Sequence, residues 1–394
     1  MKYYEKIQAA LQNENLDGWL LYDFRRSNPL ACRVLEIPHD RLLTRRFYYW
    51  IPAIGNPVGI VSAIESHSLE GLPGERLLYK TWNDLESHLH TLLSNKKKIA
   101  MEYSPLGRIP VISKVDAGTI ELIRNFGIDV VSSGNLLQTC LAVWNEHKLL
   151  SHYRAAKFLD ETARETWSWI ASCLKQNQNI TEYDVQQWML SLFNEFGFIS
   201  ADPPICAVNE HSADPHYCPD PLNTTPIKLG DFILIDLWCK ENHPDSPYAD
   251  ITRVAVADHS PSSKQEKVFS IVYAAQEAAF RFVQENIAKK NLIRGCEVDD
   301  VCRHVIEEAG FGSYFIHRTG HNIDVQDHGD GTNIDNYETH DDRFLVPGTC
   351  FSIEPGIYLP NEFGIRLEYD VLIHMDGTVE ITGGQQTEIV RIKI

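Results

Sequence analysis

Asp236 poses the first chemical question of the sequence, because it closes a run apolar enough to be a buried strand. The run is GDFILID, residues 230–236. A buried charge without a partner is very costly, so such a carboxylate is normally paired, protonated or bound to a metal. A lone aspartate at a strand end more often escapes into solvent, because acidic residues are rarely fully buried. Other acids in the sequence decide between these interpretations.

A second acidic pair repeats the pattern of the first one 118 residues later along the chain. Asp236 and Asp250 are 14 residues apart, and so are Glu354 and Glu368. The apolar residues around them also match, since GDFILID and ADITR correspond to GTCFSIE and LEYDV. We interpret the repeat as an internal duplication. Each copy predicts two apolar strands, with an acid at the end of the first and at the start of the second.

Two such hairpins facing each other would bring four carboxylates together. Carboxylates crowded in an apolar setting repel each other strongly unless cations hold them, and a bridged pair of divalent metals resolves the conflict. The segment FIHRTGHNIDVQDHGDG adds His317, His321 and His328. Histidine is a common metal ligand and proton carrier, although each ring could equally be a loop residue bonded to backbone carbonyls. Oxygen ligands suit Mn²⁺, and added imidazole also allows Co²⁺ or Zn²⁺.

These residues carry a resemblance to a known family. The order Asp236, Asp250, His321, Glu354, Glu368 resembles the five-ligand dinuclear site of the pita-bread metallopeptidases, which include methionine aminopeptidase, aminopeptidase P and prolidase. The resemblance implies that Asp236 chelates one metal and that Asp250 and Glu368 bridge both. It implies that His321 and Glu354 complete the other metal's ligands.

Further motifs resemble the Xaa-Pro branch of that family. The strings FSIEPGIY and GIRLEYDVLI resemble the strands that carry its two glutamate ligands, and VNEHSADPHY resembles a loop presenting a substrate-contacting histidine, here His216. The resemblance implies that Glu354 is the general base and that His328 stabilises the oxyanion. It implies that His216, His317 and His328 hold substrate. Arg366 either contacts the substrate or orients the metal shell, unless it is simply a surface strand arginine.

The implied function is hydrolysis of the bond between an N-terminal residue and proline, with two divalent ions per chain. Mn²⁺ is the expected ion, with Co²⁺ or Zn²⁺ as alternatives, and small peptides with proline in second position are the expected substrates. Dipeptides and longer peptides both remain open, as Xaa-Pro dipeptidase or aminopeptidase P. One rival is a pita-bread peptide- or protein-binding module without activity, and another is a creatinase-like hydrolase without metal. Retention of all five ligand-type residues argues against both.

The sequence departs from the family pattern around two of these residues. The stretch between Asp236 and Asp250 is longer than usual, and His321 is followed by Asn-Ile-Asp instead of a glycine-rich run. Gly329 stands where an acid is common. These changes leave the ligand-type residues in place but concern the shape of the substrate pocket.

Composition limits the remaining partners. The chain has 394 residues with 54 acidic and 36 basic ones, so nucleic acid, which requires a basic surface, is not an expected partner. No segment has the roughly 18 apolar residues of a membrane span. The nine cysteines form no CxxC pair, and their odd number predicts a reducing cytoplasm. A homodimer is the expected assembly, in which aromatic residues near the N-terminus would meet the partner, although core packing explains them equally well.

The elements that must position these residues change in character along the chain. GWLLYDF, RFYYWIPAI and KIAMEY predict strands, and VDAGTIELIRNFG predicts a helix closed by Gly127. Residues 151–176 then show one continuous helical apolar face, and Thr181 of TEYD predicts a helix N-cap. We therefore place a domain boundary near residue 142. The expected fold is α+β, with a smaller α/β creatinase-type domain over 1–142 and a catalytic pita-bread domain with duplicated halves over 143–394.

Overall fold

The structure is a computed structural model that describes residues 2–394. The chain divides into two compact units, the first ending at Ala142 and the second beginning at Val143. Within residues 2–394, every helix is too short or too polar to cross a membrane.

The first unit is a six-stranded mixed sheet in the order β4-β3-β2-β1-β5-β6, with helices on both faces. Its central strand is buried along its whole length because side chains alternate between two cores: Trp19 and Leu21 join one, and Leu20 and Tyr22 join the other. The elements are α1 Lys2–Asn13, β1 Gly18–Asp23, α2 Pro29–Val34, β2 Phe47–Pro52, β3 Val58–Ser62, β4 Glu75–Tyr79, α3 Trp82–Leu93, β5 Lys98–Met101, α4 Ala117–Asn125, β6 Asp129–Ser132 and α5 Gly134–Leu141.

Local sequence signals in this unit are confirmed. The three predicted strands are β1, β2 and β5. The predicted helix is α4, whose N-cap Asp116 accepts a hydrogen bond from the Thr119 N–H. Gly127 follows the helix with φ +81°, a left-handed conformation that glycine adopts without steric cost.

The second unit repeats one order of elements, two helices followed by a strand pair. The first copy holds α6 Glu146–Lys175, α7 Glu182–Phe196, β7 Phe198–Ile199, β8 Ile205–Val208, β9 Phe232–Glu241 and β10 Ala249–Ala257. The second copy holds α8 Ser263–Ala288, α9 Gly295–Glu308, β11 Asn322–Ile323, β12 Thr349–Ile353, β13 Gly356–Leu359, β14 Phe363–Arg366, β15 Tyr369–Ile373, β16 Val379–Thr382 and β17 Val390–Ile392. This order agrees with the duplication predicted from the sequence.

The helices of this unit begin where their capping residues stand. The apolar face predicted over 151–176 is confirmed, but α6 begins five residues earlier because the Asn145 side chain caps it by accepting the Lys148 N–H. The predicted cap of α7 is also confirmed, since Thr181 and Asp184 form a reciprocal capping box.

Strand pairing brings the two copies into register around the acids. The sheet of the first copy has the order β17-β10-β9-β7, with β8 also paired to β9, and the sheet of the second has the order β11-β12-β15-β16. Asp236 lies opposite Thr252 in the β9–β10 pair, and Ile353 lies opposite Tyr369 in the β12–β15 pair. In chain order, the separate hairpin β13–β14 lies between β12 and β15.

The prediction that Asp236 ends its strand is wrong. Strand β9 continues for five residues to Glu241, and both of its faces are covered. Ile233 and Ile235 pack in the core of α6 and α7, while Phe232 and Leu234 pack in the core of α8 and α9. The alternation of side chains puts Asp236 on the same face as Leu234, so its carboxylate points between the two copies instead of into solvent.

Candidate metal centre

Side-chain alternation collects the first two acids on one face. In β10, Val254 joins the core of α8 and α9, so Thr252 and Asp250, at steps of two, share its face. Asp236 of β9 lies on that face as well. Asp236 is 9% exposed and Asp250 is 6% exposed, so both carboxylates are withdrawn from water.

The second pair of acids flanks the strand pair of the second copy. Glu354 directly follows β12 and Glu368 directly precedes β15, as the sequence predicts. His321 precedes β11, and two hydrogen bonds fix it to Ser352: the His321 N–H donates to the hydroxyl at 3.0 Å, and the His321 carbonyl accepts the Ser352 N–H at 2.8 Å. Short strands at the sheet edge thus set the position of the histidine relative to both acids.

The two copies converge on His321. Its Nε2 lies 3.6 Å from Asp250 Oδ2 and 3.6 Å from Glu354 Oε1. One ligand atom from each of Asp250, His321 and Glu368 lies within 4.8 Å of the others. Nδ1 of His321 lies 3.3 Å from the Asn322 carbonyl, which can only accept, so Nδ1 carries the proton and the lone pair of Nε2 faces the carboxylates.

Asp236 is joined to this group through Thr252 and Arg366. The Thr252 hydroxyl lies 2.6 Å from Glu368 Oε2 and 3.2 Å from Asp236 Oδ1. Arg366 forms an ion pair with Asp236 and donates from Nε to Thr252 at 3.1 Å. Its Nη1 donates to the Tyr358 hydroxyl at 2.9 Å. The side chain of Arg366 therefore holds Asp236 in place, and Arg366 is buried, with 4% of its surface exposed.

The electrostatics of the acids call for added positive charge. Burial, then Glu368 and Asp236, raise the pKa of Asp250 well above its usual range. Burial, then Glu354 and Asp236, do the same to the pKa of Glu368. Burial raises the pKa of Glu354 to about 7, although Arg366 opposes the rise. The positive charges nearby do not fully compensate the repulsion between these carboxylates.

The donor set fits divalent cations. Oδ1 of Asp250 is buried without a hydrogen-bond partner, which is costly unless a ligand occupies its lone pairs. Its neighbours offer further carboxylate oxygens and one imidazole nitrogen, a mixture suited to Mn²⁺, Co²⁺ or Zn²⁺. The Asp250 N–H donates to Asp370 Oδ2 at 2.9 Å, which fixes the strand that carries the orphaned oxygen.

The remaining predicted histidines surround this group in different states. His328 is exposed, and its ring centroid lies 4.3 Å from that of His321. Partial desolvation and the charges of Arg318 and His216 lower the pKa of His328 to about 4. His216 is exposed on its loop. Both ring nitrogens of His317 are engaged, one at 2.7 Å from the Arg318 carbonyl and one at 2.7 Å from a tyrosine hydroxyl.

Sequence reasoning missed the groups that hold the predicted residues. Thr252 and Tyr358 lie inside the quoted motifs ADITR and FSIEPGIY, but nothing in their type marks them as partners of Arg366. Glu182 lies beside the predicted cap in TEYD and looks like an ordinary first-turn acid. In the structure its carboxylate accepts hydrogen bonds that fix the loop of His216.

The Glu182 contacts are numerous for one side chain. Its oxygens lie 2.7 Å from the backbone nitrogens of Val208 and Thr225 and 2.7 Å from the Tyr217 hydroxyl. Nδ1 of His211 lies 2.9 Å away. These donors include residues at both ends of the loop, so Glu182 holds the two ends together.

Comparisons with known proteins identify relatives of this chain. The model of metallopeptidase family M24 matches residues 151–375. An uncharacterised peptidase of Staphylococcus saprophyticus is 28% identical over 393 residues, which cover 96% of this chain and 98% of that protein. An Xaa-Pro dipeptidase of Pyrococcus furiosus is 37% identical over 156 residues, 40% of this chain and 41% of that protein.

A solved structure supports the fold. The crystal structure of a dipeptidase from Mycobacterium ulcerans has a TM-score of 0.67 at 21% identity and covers 100% of this chain and 98% of that chain. The expected resemblance to the pita-bread metallopeptidases is confirmed, and with it the use of divalent metal ions that this family implies. Because the family model spans more than half of its residues, the chain belongs to metallopeptidase family M24 and is a peptidase.

Proposed function

We propose that the chain hydrolyses the peptide bond between an N-terminal residue and proline, with two divalent cations held by five side chains. The observation that carries the proposal is the convergence of Asp250, His321 and Glu368 within 4.8 Å, beside a buried and unpartnered Asp250 oxygen. Asp236 and Glu354 border this group and complete the proposed ligand set. The similarity to an Xaa-Pro dipeptidase over 156 residues supports the preference for proline.

The cations would supply polarisation of the peptide carbonyl and acidification of a water molecule. Glu354 takes the proton of the attacking water and passes it to the leaving nitrogen, which makes that nitrogen a neutral amine. His328 donates a hydrogen bond to the oxyanion of the tetrahedral intermediate. His216 and His317 border the substrate. Of the two roles open to Arg366, its contacts favour orienting Asp236.

The test is an activity assay on metal-depleted protein after addition of Mn²⁺, Co²⁺ or Zn²⁺. We expect hydrolysis of Ala-Pro, weak hydrolysis of Ala-Ala, and about two bound ions per chain by elemental analysis. Asp250→Asn should lose metal and activity, whereas Asp376→Asn, which removes an acid on an exposed turn, should change neither. Equal rates on Ala-Pro and Ala-Ala would remove the proline preference. Metal binding without hydrolysis of either would favour a peptide-binding module, and hydrolysis without metal would favour a creatinase-like hydrolase.

Assembly and location are also proposals. The nine cysteines are free: seven are buried, Cys140 is half-buried and Cys218 is exposed. A reducing cytoplasm fits thiols kept in this form. We propose a homodimer in the cytoplasm, and sedimentation of the purified protein tests the assembly.

A further inference from the structure

Arg318 differs from the other arginines around the metal centre in what its guanidinium contacts. Within residues 2–394, no carboxylate lies within ion-pair distance of it. Its Nη2 lies 3.4 Å from Nδ1 and 3.5 Å from Nε2 of His328, which are long and weak contacts. The backbone is nevertheless fixed, because the Arg318 N–H donates to Glu338 Oε1 at 3.0 Å. The segment is held, while most donors of the guanidinium remain available.

In neighbouring arginines of the same unit, the guanidinium donors are already hydrogen-bonded. Arg366 holds Asp236, and Arg343 forms an ion pair and donates to two carbonyls. Both terminal nitrogens of the Arg253 guanidinium donate to backbone carbonyls. Arg303 donates to two carbonyls and to an acid. Arginine presents five donors in a planar fork that matches a carboxylate. An arginine that has no such partner beside an acidic centre can bind the carboxylate of a ligand.

The position of Arg318 relates it to the reacting bond. Its guanidinium contacts the ring of His328, and that ring lies 4.3 Å from the ring of His321. The guanidinium therefore lies beside the proposed oxyanion donor His328, which in turn lies beside the proposed metal ligand His321.

We propose that Arg318 binds the free α-carboxylate of a dipeptide substrate, an inference that rests on the proposed function. Successive Cα atoms are about 3.8 Å apart, so the first backbone group beyond the scissile bond reaches the neighbourhood of Arg318. In a dipeptide that group is a carboxylate, which the surrounding acids would repel without a cation. In a longer peptide it is a neutral amide, which gains less from the fork. The substrate class is thus the dipeptide.

The experiment compares Ala-Pro with Ala-Pro-amide, which differ only in the charge at the C-terminus. For the metal-loaded enzyme we expect kcat/KM to favour Ala-Pro by about 10-fold or more. Arg318→Met should lower kcat/KM for Ala-Pro by roughly 10- to 100-fold, and that for the amide by less than about 3-fold. Arg318→Lys should retain part of the preference, because it keeps the charge but loses the fork. Arg281→Met, which removes an exposed arginine on α8, is the matched control.

The ratio of the two substrates separates binding of the carboxylate from support of His328. A change in His328 would lower both rates together, so an equal loss on Ala-Pro and on the amide in Arg318→Met overturns the inference. A wild-type enzyme that does not distinguish the two substrates overturns it as well. Absence of hydrolysis of any Xaa-Pro compound, with metal bound, would instead reject the proposed function and this inference with it.

Discussion

Two histidines of one segment illustrate how contacts assign different roles to the same residue type. His321 is 4% exposed, its Nδ1 is bound to a carbonyl, and its Nε2 faces two acids. His328, seven residues later, is exposed and contacts the guanidinium of Arg318. The first arrangement suits the proposed metal ligand, whose tautomer the carbonyl fixes, and the second suits the proposed donor to the substrate.

We therefore expect His321→Ala and His328→Ala to fail in different ways. His321→Ala should weaken metal binding, with some activity returning at high metal concentration. His328→Ala should keep its metal and lose roughly 10²- to 10³-fold in kcat, the usual effect of removing a donor to an oxyanion. The measurement is metal content and kcat for each variant across a metal titration.

The outcomes are distinguishable for each residue. Loss of metal in His328→Ala, with metal retained in His321→Ala, would reverse the two roles. Full metal content and full activity in both variants would reject the five-ligand centre. His304→Ala, at an exposed position of α9, controls for loss of an imidazole.

At the scale of elements, the loop that carries His328 is tied to two distant elements. Lys148 of α6 forms an ion pair with Asp324 at 2.6 Å, and Lys240 of β9 donates to the Val325 carbonyl at 2.6 Å. The Tyr248 N–H, near the end of the long β9–β10 connection, donates to the Asp324 carbonyl at 2.9 Å. Two departures noted in the sequence, the longer connection and the acid after His321, thus meet in one place.

Lys148→Met should leave the buried Asp324 charge without its partner. We expect a loss of about 3–5 kcal/mol of unfolding free energy if the acid stays charged, and lower kcat with metal retained because the loop loosens. The double variant Lys148→Met/Asp324→Asn should recover part of the loss, since no lone charge remains. Urea unfolding and kcat of the single and double variants provide the measurement. Lys157→Met, from an exposed ion pair, should cost less than about 1 kcal/mol.

The hydrogen bonds of Glu182 lead to a second prediction at this scale. Glu182→Gln keeps the shape but puts an NH₂ group against donors that the carboxylate accepted, so at least one of them loses its partner. We expect a loss of about 1–3 kcal/mol in stability and a raised KM, because the loop of His216 is no longer fixed. Thermal unfolding and KM are measured against Glu165→Gln, an exposed position of α6. An unchanged KM would separate Glu182 from the substrate loop.

At the scale of the second unit, His152 ties three elements and makes stability depend on pH. It is fully buried on α6, with Nδ1 2.8 Å from the Tyr248 carbonyl and Nε2 2.7 Å from the Thr382 hydroxyl. Burial lowers the pKa of His152 to about 4, although the Tyr248 carbonyl and Glu380 act against this shift. Asp370 Oδ2, at 3.9 Å, also faces the ring. The neutral imidazole is therefore the form that the folded chain retains.

The sign of the pH effect follows from the lowered pKa. The unfolded chain protonates His152 below about pH 6.5, whereas the folded chain does so only near pH 4, so this stability is present above pH 6.5 and is lost as the pH falls to 4. We expect the loss to be roughly 3 kcal/mol over that window. Urea unfolding of metal-free protein at several pH values, with His152→Phe as reference, measures it. The stability gap between the two proteins should narrow as the pH falls, and a constant gap would contradict the assignment.

The sequence by itself determined several strands and helices of this protein and the pairing of its acids. Periods of two and of 3.6 residues, and caps such as Thr181 and Asp116, are set by neighbours along the chain, so strands and helices could be predicted from short windows. The repeated spacing of Asp236–Asp250 and Glu354–Glu368 predicted a shared acidic centre, and these acids do border one site. Local spacing could not show that β9 passes beyond its acid, because that depends on the strands that pair with it.

Only the tertiary structure decided which arginine is bound to an acid of the centre and which is not. Arg366 and Arg318 are both arginines in motifs beside proposed ligands, yet Arg366 is bound to Asp236, whereas the guanidinium of Arg318 contacts the ring of His328. The partners lie far apart in sequence, 130 residues in the case of Arg366 and Asp236. No local pattern encodes such a pairing, because it forms only when the two copies pack and bring their buried faces together.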